Sequence, residues 1–208
     1  MVQDSEFRRR LSAAEMYLRR CDPSLGNLMS RFGRCGLSPT SETYFQSLVA
    51  SIIGQQLSKK AATTIRNRVW SLLGSPAEIQ PRCFLGVSID DLRLAGVSGA
   101  KAKYVLDLAN TVSSNEAFFD GLDSLEDYQV TQYLTQLNGV GIWTAQMFLI
   151  FSLGRLDVCA SSDVGLRRGL KILLKRDYDI GEDEFEQLTR KWSPYRSIAS
   201  WYLWRLLD

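Results

Sequence analysis

The sequence predicts an all-α protein. Apolar residues recur every three or four positions along most of the chain, and the alternating pattern of half-buried β-strands is scarce. Ser-x-x-acid signals, which mark helix starts, occur at Ser75, Ser88 and Ser124, each before an apolar periodic segment. Glycine, which commonly follows a helix end, stands after the apolar runs WSLL, LRLA and FLIFSL. A chain of 208 residues fits one large domain or two small helical lobes.

These signals place the helices in chain order. The N-terminal segment alternates charged and apolar residues at helical spacing, which predicts the first helix. Ser58 is the predicted N-cap of the helix that Gly74 ends, and Gly96 and Gly154 end two later helices. The predicted helices span about residues 7–20, 24–34, 42–55, 59–73, 76–80, 89–95, 99–113, 125–137, 142–153, 163–175, 183–191 and 194–206.

The composition restricts the possible catalytic groups more than it restricts the possible binding partners. The formal net charge is +2 and the pI is about 8.3, so a nucleic acid would have to be held by local basic clusters and backbone amides. The chain has no histidine, which removes the commonest general base and the commonest transition-metal ligand. Catalysis would therefore rest on carboxylates, on a nucleophile or on a bound cofactor.

Cysteine usage and hydropathy favour an intracellular protein, in the cytoplasm of a bacterium or the nucleus of a eukaryote. Cys21, Cys35, Cys83 and Cys159 lie far apart, without the paired spacing of zinc or redox motifs, and we interpret them as reduced thiols. No apolar run approaches the roughly 18 residues that a membrane span requires. The N-terminal segment does not resemble a targeting signal.

The strongest local signal is LNGVGIWTAQMFLIF, residues 137–151. Gly139 and Gly141 bracket Val140 between one predicted helix and the next, which indicates a short hairpin between two helices. Without side chains at the glycines, the backbone amides and the positive end of the second helix can hold a phosphate oxygen. An ordinary helix-helix turn is the alternative for an isolated Gly-x-Gly.

Four ordered blocks together carry a resemblance to a known family. The segment LNGVGIWTA is similar to the hairpin of the helix-hairpin-helix DNA glycosylases, and Asp163 follows Trp143 by twenty residues, which is the spacing of that family. The blocks SLVASIIGQQLSKKAATTIRNRV, LRLAGVSGAKAKYVLDLA and WSPYRSIASWYLWRL resemble its alkylpurine branch, typified by DNA-3-methyladenine glycosylase II and its compact yeast-type relatives. The resemblance implies a two-lobed helical bundle with a helix-hairpin-helix motif and a DNA-binding cleft between the lobes. One lobe is expected at about residues 36–120, and the other comprises the N-terminal helices plus about residues 121–208.

The resemblance assigns the catalytic role to Asp163. Breaking a purine glycosidic bond develops positive charge on the deoxyribose, which a fixed carboxylate stabilises. The alternative is that Asp163 is only the N-cap of the following helix. Lyase-type relatives carry a lysine at position 143, and since Trp143 cannot form an imine we expect a monofunctional enzyme that needs no cofactor and no catalytic metal.

The resemblance implies further roles for three sets of residues. The base pocket is expected to comprise Trp143, Met147, Phe151, Ser152 and Trp204. The DNA wedge and minor-groove contacts are expected from Gln55, Gln56 and Ser58, with Gln56 at the intercalating position. The DNA backbone contacts are expected from Gly139, Gly141, Thr144, Lys59 and Lys101. The backbone carbonyls of Thr135, Leu137 and Val140 are candidates for a structural monovalent cation. For the aromatic residues the alternative is the core, and for the glutamines it is a solvated loop.

One departure from the family keeps a second function open. The residues before the catalytic aspartate usually include a proline and often a second acid, whereas this chain has Ala160-Ser161-Ser162. The first hypothesis is a monomeric glycosylase that excises alkylated purines from double-stranded DNA. The second is a catalytically weak lesion or abasic-site binder. A third, a helical interaction module without a DNA role, leaves Asp163, Gln56 and the glycine hairpin unexplained together.

Overall fold

The computed structural model describes residues 2–75 and 77–207. Within these residues the chain forms helices and no β-strand, which confirms the all-α prediction. The α-helices are α1 Val2–Cys21, α2 Pro23–Phe32, α3 Tyr44–Gly54, α4 Lys59–Leu72, α5 Ile89–Leu94, α6 Gly99–Ser114, α7 Asp127–Leu134, α8 Ile142–Phe151, α9 Val164–Leu174, α10 Glu182–Thr189 and α11 Arg196–Trp204. Short 3₁₀ turns cover Pro81–Phe84, Leu122–Ser124 and Arg190–Trp192. No helix of the described residues combines the length and the apolar character that a membrane crossing needs.

The chain divides into two compact units. The terminal unit comprises the residues up to Pro39 together with those from Leu149 onward, and the central unit is Thr40–Phe148. The change of unit on the C-terminal side therefore falls within α8, whereas the sequence placed the change of lobe near residue 121.

The core of the central unit is built around α3. Thr43 caps this helix by accepting a hydrogen bond from Gln46 N at 3.2 Å. The helix then buries apolar residues at successive threes and fours against α4 and α6, and each such side chain contributes about 1.5 to 3 kcal/mol when fully buried. These residues are Phe45, Leu48, Val49, Ile52 and Ile53.

The core of the terminal unit joins α1, α2, α9 and α11. At Gly169, a Cβ atom would lie 2.7 Å from the Leu203 carbonyl oxygen, so only glycine allows α9 to approach α11 this closely. Asp22 caps α2 and also accepts hydrogen bonds from Trp192 Nε1 and Lys191 Nζ, each at 2.9 Å. Burial raises the pKa of the Asp22 carboxyl, but hydrogen bonds from Lys191, Trp192 and the Leu25 amide more than offset this and lower it below its ordinary range.

Two of the three Ser-x-x-acid signals do not start helices. Ser88 and Asp91 form a reciprocal capping box at α5, as predicted. Ser75 instead closes the end of α4, since its φ is +50° and its N–H donates to Trp70 O at 2.8 Å. The predicted helix 76–80 is therefore wrong over residues 77–80, and Pro76 lies outside the described residues. Ser124 lies in a 3₁₀ turn, and Glu126 with Gln129 forms the capping box of α7.

Candidate active site and nucleic-acid interface

The central unit contains the hairpin that the sequence predicted. The turn between α7 and α8 is closed by Val140 N, which donates to Leu137 O at 3.1 Å. Gly139 has a φ of +80°, and a Cβ built on it would lie 2.2 Å from Tyr104 Cδ2. The ring of α6 thus packs directly against the hairpin backbone, and both the conformation and the contact require glycine at this position.

Gly141 has a different reason to be glycine. A Cβ built at Gly141 would meet no heavy atom of the described residues within 4 Å, so no contact in that part of the chain requires glycine here. Gly141 O accepts from Ala145 N at 3.0 Å, which begins α8, and the positive end of this helix therefore lies at the exposed glycine. The adjacent side chains of Ile142 and Trp143 are 60% and 38% exposed. This surface combines helix amides with apolar groups, which suits a phosphate beside bases.

Gln55 lies on the loop between α3 and α4 but its side chain is directed to the hairpin. Gln55 Nε2 donates to Gly139 O at 2.8 Å and to Thr144 Oγ1 at 3.2 Å. Thr144 is only 2% exposed, so its hydroxyl lies in the interior of the central unit. In this structure the two side chains join the loop to the hairpin, and the wedge role expected of Gln55 and the DNA-backbone contact expected of Thr144 stay predictions.

The remaining residues of this loop are exposed. Gln56 has a φ of +56° and its side chain is exposed, as are those of Ser58 and Lys59. Ser58 Oγ accepts from Ala61 N at 3.3 Å and caps α4, as predicted. Gln56 is therefore the loop glutamine whose side chain lies at the surface, and its role as a wedge stays a prediction.

Lys101 is engaged with the protein backbone. Its ammonium donates to Ile53 O at 3.1 Å and also to Gln55 O, which are carbonyls at the C-terminal end of α3. Such an interaction neutralises the negative end of the helix. Burial lowers the pKa of the Lys101 ammonium. A phosphate contact, as the sequence suggested, would have to use the third hydrogen of the ammonium group.

In the terminal unit, Asp163 stands at the start of α9. Its Oδ1 atom accepts from Leu166 N at 2.7 Å and from Trp204 Nε1 at 3.3 Å. The residue is 8% exposed. Asp163 thus acts as an N-cap, and its carboxylate is also fixed by an indole N–H from α11. The N-cap alternative raised by the sequence is therefore correct as a structural role and does not compete with a catalytic one.

Of the predicted pocket residues in the terminal unit, Trp204 bonds this acid and Phe151 lies against Trp204. Phe151 and Trp204 have ring centroids 5.6 Å apart at an interplanar angle of 31°. Phe151 is 38% exposed, Ser152 is buried, and Trp204 is half-buried. The other predicted pocket residues, Trp143 and Met147, belong to the central unit, where Met147 is buried. The structure therefore brings Asp163, Trp204 and Phe151 together within one unit.

Sequence reasoning missed the residues that hold the segment before Asp163. Asp157 pairs with Arg196, Val158 N donates to Ser197 Oγ, and Ser161 Oγ donates to Glu186. These partners lie 25 to 39 positions away in the chain, and no local pattern marked them.

The described residues contain no cluster of three or more His, Cys, Asp or Glu side chains suited to a metal ion. The carbonyls suggested for a monovalent cation, those of Thr135, Leu137 and Val140, lie on the hairpin turn. Leu137 O already accepts the amide of Val140 and retains a second lone pair. Backbone carbonyls of this kind fit a hard cation, and the site stays a prediction.

Comparison with known proteins identifies the family. The model of the HhH-GPD superfamily of base excision DNA repair proteins matches residues 49–194, which include the hairpin and Asp163. The chain belongs to this superfamily.

A DNA-3-methyladenine glycosidase from Bacillus halodurans is 40% identical, with a TM-score of 0.77 over 90% of this chain and 86% of that one. The 3-methyladenine DNA glycosylase Mag1 of Schizosaccharomyces pombe, solved in complex with abasic DNA, is 27% identical with a TM-score of 0.85 over 93% and 95% of the chains. The alkylbase DNA glycosidase-like protein mag2 of S. pombe is 27% identical over 99% of this chain and 96% of its own length. The resemblance predicted from the four sequence blocks is confirmed.

Proposed function

We propose that the protein is a monofunctional DNA glycosylase that excises alkylated purines from double-stranded DNA and leaves an abasic site. The observation that carries this proposal is the Asp163 carboxylate, buried at the N-terminus of α9 and hydrogen-bonded by Leu166 N and Trp204 Nε1, in a chain of the base excision repair superfamily. The protein would work inside the cell as a monomer, without a cofactor.

The chemistry follows from the charge that develops during bond cleavage. As the bond between C1′ and the purine nitrogen breaks, the bonding electrons leave with the base and positive charge develops on the deoxyribose. A fixed carboxylate stabilises that charge because it needs no reorganisation at the moment of reaction. Water then supplies a hydroxyl group to C1′ and releases a proton. The hydrogen bonds to Asp163 Oδ1 supply the required fixation.

The cationic character of alkylated purines favours aromatic partners. A purine methylated at N3 or N7 carries a positive charge, and the face of an indole attracts such a ring by about 0.5 to 2 kcal/mol. Trp143, Phe151 and Trp204 supply exposed or half-exposed aromatic surface. The alkylpurine relatives among the similar proteins support the same substrate class.

Trp143 also determines the expected type of glycosylase. An amine at this position would attack C1′ and form a Schiff base, but an indole has no such nucleophile. Borohydride reduction of a reaction with lesion DNA should therefore trap no covalent complex. A trapped complex would contradict the monofunctional assignment.

DNA would be held mainly by the hairpin. The amides near Gly141 and the positive end of α8 bind a backbone phosphate, Lys59 adds charge, and Gln56 fills the gap left by the everted base. The side-chain amide of Gln56 can both donate to and accept from the orphaned base, whatever its identity.

The deciding experiment measures base release from DNA containing 7-methylguanine, 3-methyladenine or ethenoadenine by the wild type and by Asp163→Asn. Asparagine is as good an N-cap as aspartate, so α9 should remain intact and the substitution removes only the charge. We expect base release to fall by about 100-fold or more, as for loss of a preorganised electrostatic contact. Equal release by the two proteins would remove Asp163 from the proposed role.

A second candidate function is a lesion or abasic-site binder with weak excision. It is favoured by the low exposure of Asp163, 8%, because a buried carboxylate is less accessible to a deoxyribose. The same experiment separates the two. A binder would retain nanomolar affinity for abasic DNA while the wild type releases no more base than Asp163→Asn does.

A further inference from the structure

The segment that leads into Asp163, residues 156–162, is irregular and mostly buried, and it contains no proline. We call it the approach segment. An irregular segment has no hydrogen-bond ladder of its own, so its conformation must be fixed by side chains from elsewhere. The structure shows four such side chains: Arg196 and Ser197 lie on α11, Ser193 lies just before it, and Glu186 lies on α10.

Arg196 clamps the start of the approach segment. Its Nε and Nη2 atoms donate to Asp157 Oδ1 and Oδ2 at 2.8 and 2.9 Å, and Nη2 also donates to Asp157 O at 3.1 Å. Arg196 N and Ser193 Oγ donate to the same carboxylate at 3.1 and 2.8 Å. Burial raises the pKa of the Asp157 carboxyl, but the hydrogen bonds from Arg196 and Ser193 more than offset this and hold it below its ordinary range. A two-pronged arrangement of this kind fixes orientation as well as distance.

Further bonds fix the middle of the segment. Ser197, fully buried on α11, accepts Val158 N at 2.9 Å and donates its own amide to Leu156 O at 3.0 Å. Ser161 Oγ donates to Glu186 Oε1 of α10 at 2.7 Å. The backbone is thus held on both sides of Asp157, and the Ser161 side chain is held two residues before the acid.

The same helix reaches the acid itself. Trp204, eight residues after Arg196 on α11, donates its indole N–H to Asp163 Oδ1. Eight residues of α-helix span about 12 Å, so α11 contacts the approach segment at its start and the carboxylate at its end.

We propose that α11 is the positioning element for the acid, with Asp157, Arg196 and Ser197 as positioning residues that fix the approach segment. This inference rests on the proposed function, because it concerns the placement of Asp163 for base excision. A displacement of about 1 Å at a reacting group lowers rates by up to about 100-fold, so loss of the clamp should affect the excision rate more than DNA binding.

The test compares Arg196→Lys and Ser197→Ala with the wild type in single-turnover excision of 7-methylguanine and in binding to abasic DNA. Lysine keeps the charge but loses the fork that bonds both oxygens of Asp157. We expect the excision rate to fall about tenfold or more while Kd for abasic DNA changes less than twofold. In an Asp163→Asn background the same substitutions should produce no further loss, since they act through that carboxylate.

Asp22→Asn is the matched control. Asp22 is a buried helix-capping aspartate of the same unit with one basic partner, and it makes none of the contacts with residues 156–163 described above. This variant should lower the melting temperature and leave the excision rate at 25 °C within twofold of the wild type. An equal loss of rate in Asp22→Asn, or an equal relative loss in the Asp163→Asn background, would overturn the positioning role.

A second measurement does not depend on activity. Amide hydrogen exchange at Val158 and Asp163 should be faster in Arg196→Lys than in the wild type and unchanged in Asp22→Asn. If the wild type released no base, the proposed function would fail while this measurement still decided whether α11 fixes the segment. Unchanged exchange in Arg196→Lys would refute the clamp.

Discussion

The two glycines of the hairpin are expected to fail in different ways when each is replaced by alanine. At Gly139 the backbone φ is +80°, and a Cβ would lie 2.2, 2.5 and 2.9 Å from Cδ2, Cγ and Cβ of Tyr104. These are the near atoms of the side chain rather than a flexible tip, so the ring or the hairpin must move. At Gly141 a Cβ has open space and φ is not positive.

The loss of folding stability expected for Gly139→Ala has two contributions. A left-handed backbone conformation costs a non-glycine residue about 1 to 2 kcal/mol. Overpacking against a fixed side chain adds about 1 to 3 kcal/mol. We therefore expect the free energy of unfolding to fall by about 2 to 5 kcal/mol, which is a large part of the stability of a domain of this size. Gly141→Ala should stay within about 0.5 kcal/mol of the wild type.

The assay pairs urea unfolding with titration of abasic DNA. Gly139→Ala should be less stable and should also bind DNA more weakly, because the hairpin is displaced. Gly141→Ala should unfold like the wild type and yet bind DNA about tenfold more weakly, because its methyl group occupies the place of the phosphate. In a Tyr104→Ala background the cost of Gly139→Ala should fall, because the contacts with the ring atoms are gone. It should stay above the conformational part of about 1 to 2 kcal/mol, because alanine keeps the Cβ atom that lies 2.9 Å from the new methyl group.

Two results would refute this reasoning. If Gly139→Ala unfolds within 0.5 kcal/mol of the wild type, the steric argument from Tyr104 is wrong. If Gly141→Ala binds abasic DNA as tightly as the wild type, the hairpin is not the phosphate-binding element. The first outcome tests the packing of the hairpin, and the second tests its role in DNA binding. Either prediction can therefore fail without affecting the other.

Three further predictions concern the polar contacts of each unit. Gln55→Met removes the bonds to Gly139 O and Thr144 Oγ1. It should lower the free energy of unfolding by about 1 to 3 kcal/mol, because the buried Thr144 hydroxyl and the half-buried Gly139 carbonyl lose a partner. Gln56→Met at the exposed neighbour should leave the free energy of unfolding unchanged. Trp204→Phe keeps a ring beside Phe151 but removes the N–H that holds Asp163; single-turnover excision should fall about tenfold with unchanged affinity for abasic DNA. The lowered pKa of Asp157 predicts a contribution to stability that is present above about pH 4, the unfolded value, and is lost as the pH falls through the folded value. Urea unfolding between pH 3 and 7 should therefore show a shallower acid slope in Asp157→Asn, and identical slopes would contradict the assignment.

Sequence patterns predicted the elements that are determined by interactions between residues close together in the chain. The Gly-x-Gly spacing identified the hairpin because a backbone turn needs glycine whatever surrounds it. The Ser88 signal correctly placed a helix start, since a capping box closes within four residues. The Ser75 signal failed because Ser75 ends α4 in a left-handed conformation. The Ser-x-x-acid pattern does not distinguish a serine that ends one helix from a serine that starts the next.

The sequence alone does not reveal the side-chain contacts that join distant positions of the chain. Gln55 and Gln56 are adjacent and chemically identical, and only the fold shows that Gln55 bonds the hairpin 84 residues away while Gln56 stays exposed. Lys101 has the appearance of a DNA contact in a basic segment, but its ammonium caps the end of α3, 46 and 48 residues away. Nothing in the local sequence records such pairings.

These internal contacts suggest why the protein manages with a net charge of +2. In the central unit, polar side chains fix a backbone hairpin, whose amides and adjoining helix end we propose to hold a phosphate in place of lysines. In the terminal unit, α11 fixes a carboxylate and the segment before it. Under the proposed function, the first arrangement governs the affinity for DNA, and the second governs the rate of base excision. The two sets of contacts belong to different units. Substitutions in the central unit should therefore change the Kd for DNA, and substitutions in the terminal unit should change the excision rate. A variant of Arg196 that changed only the Kd would contradict this division.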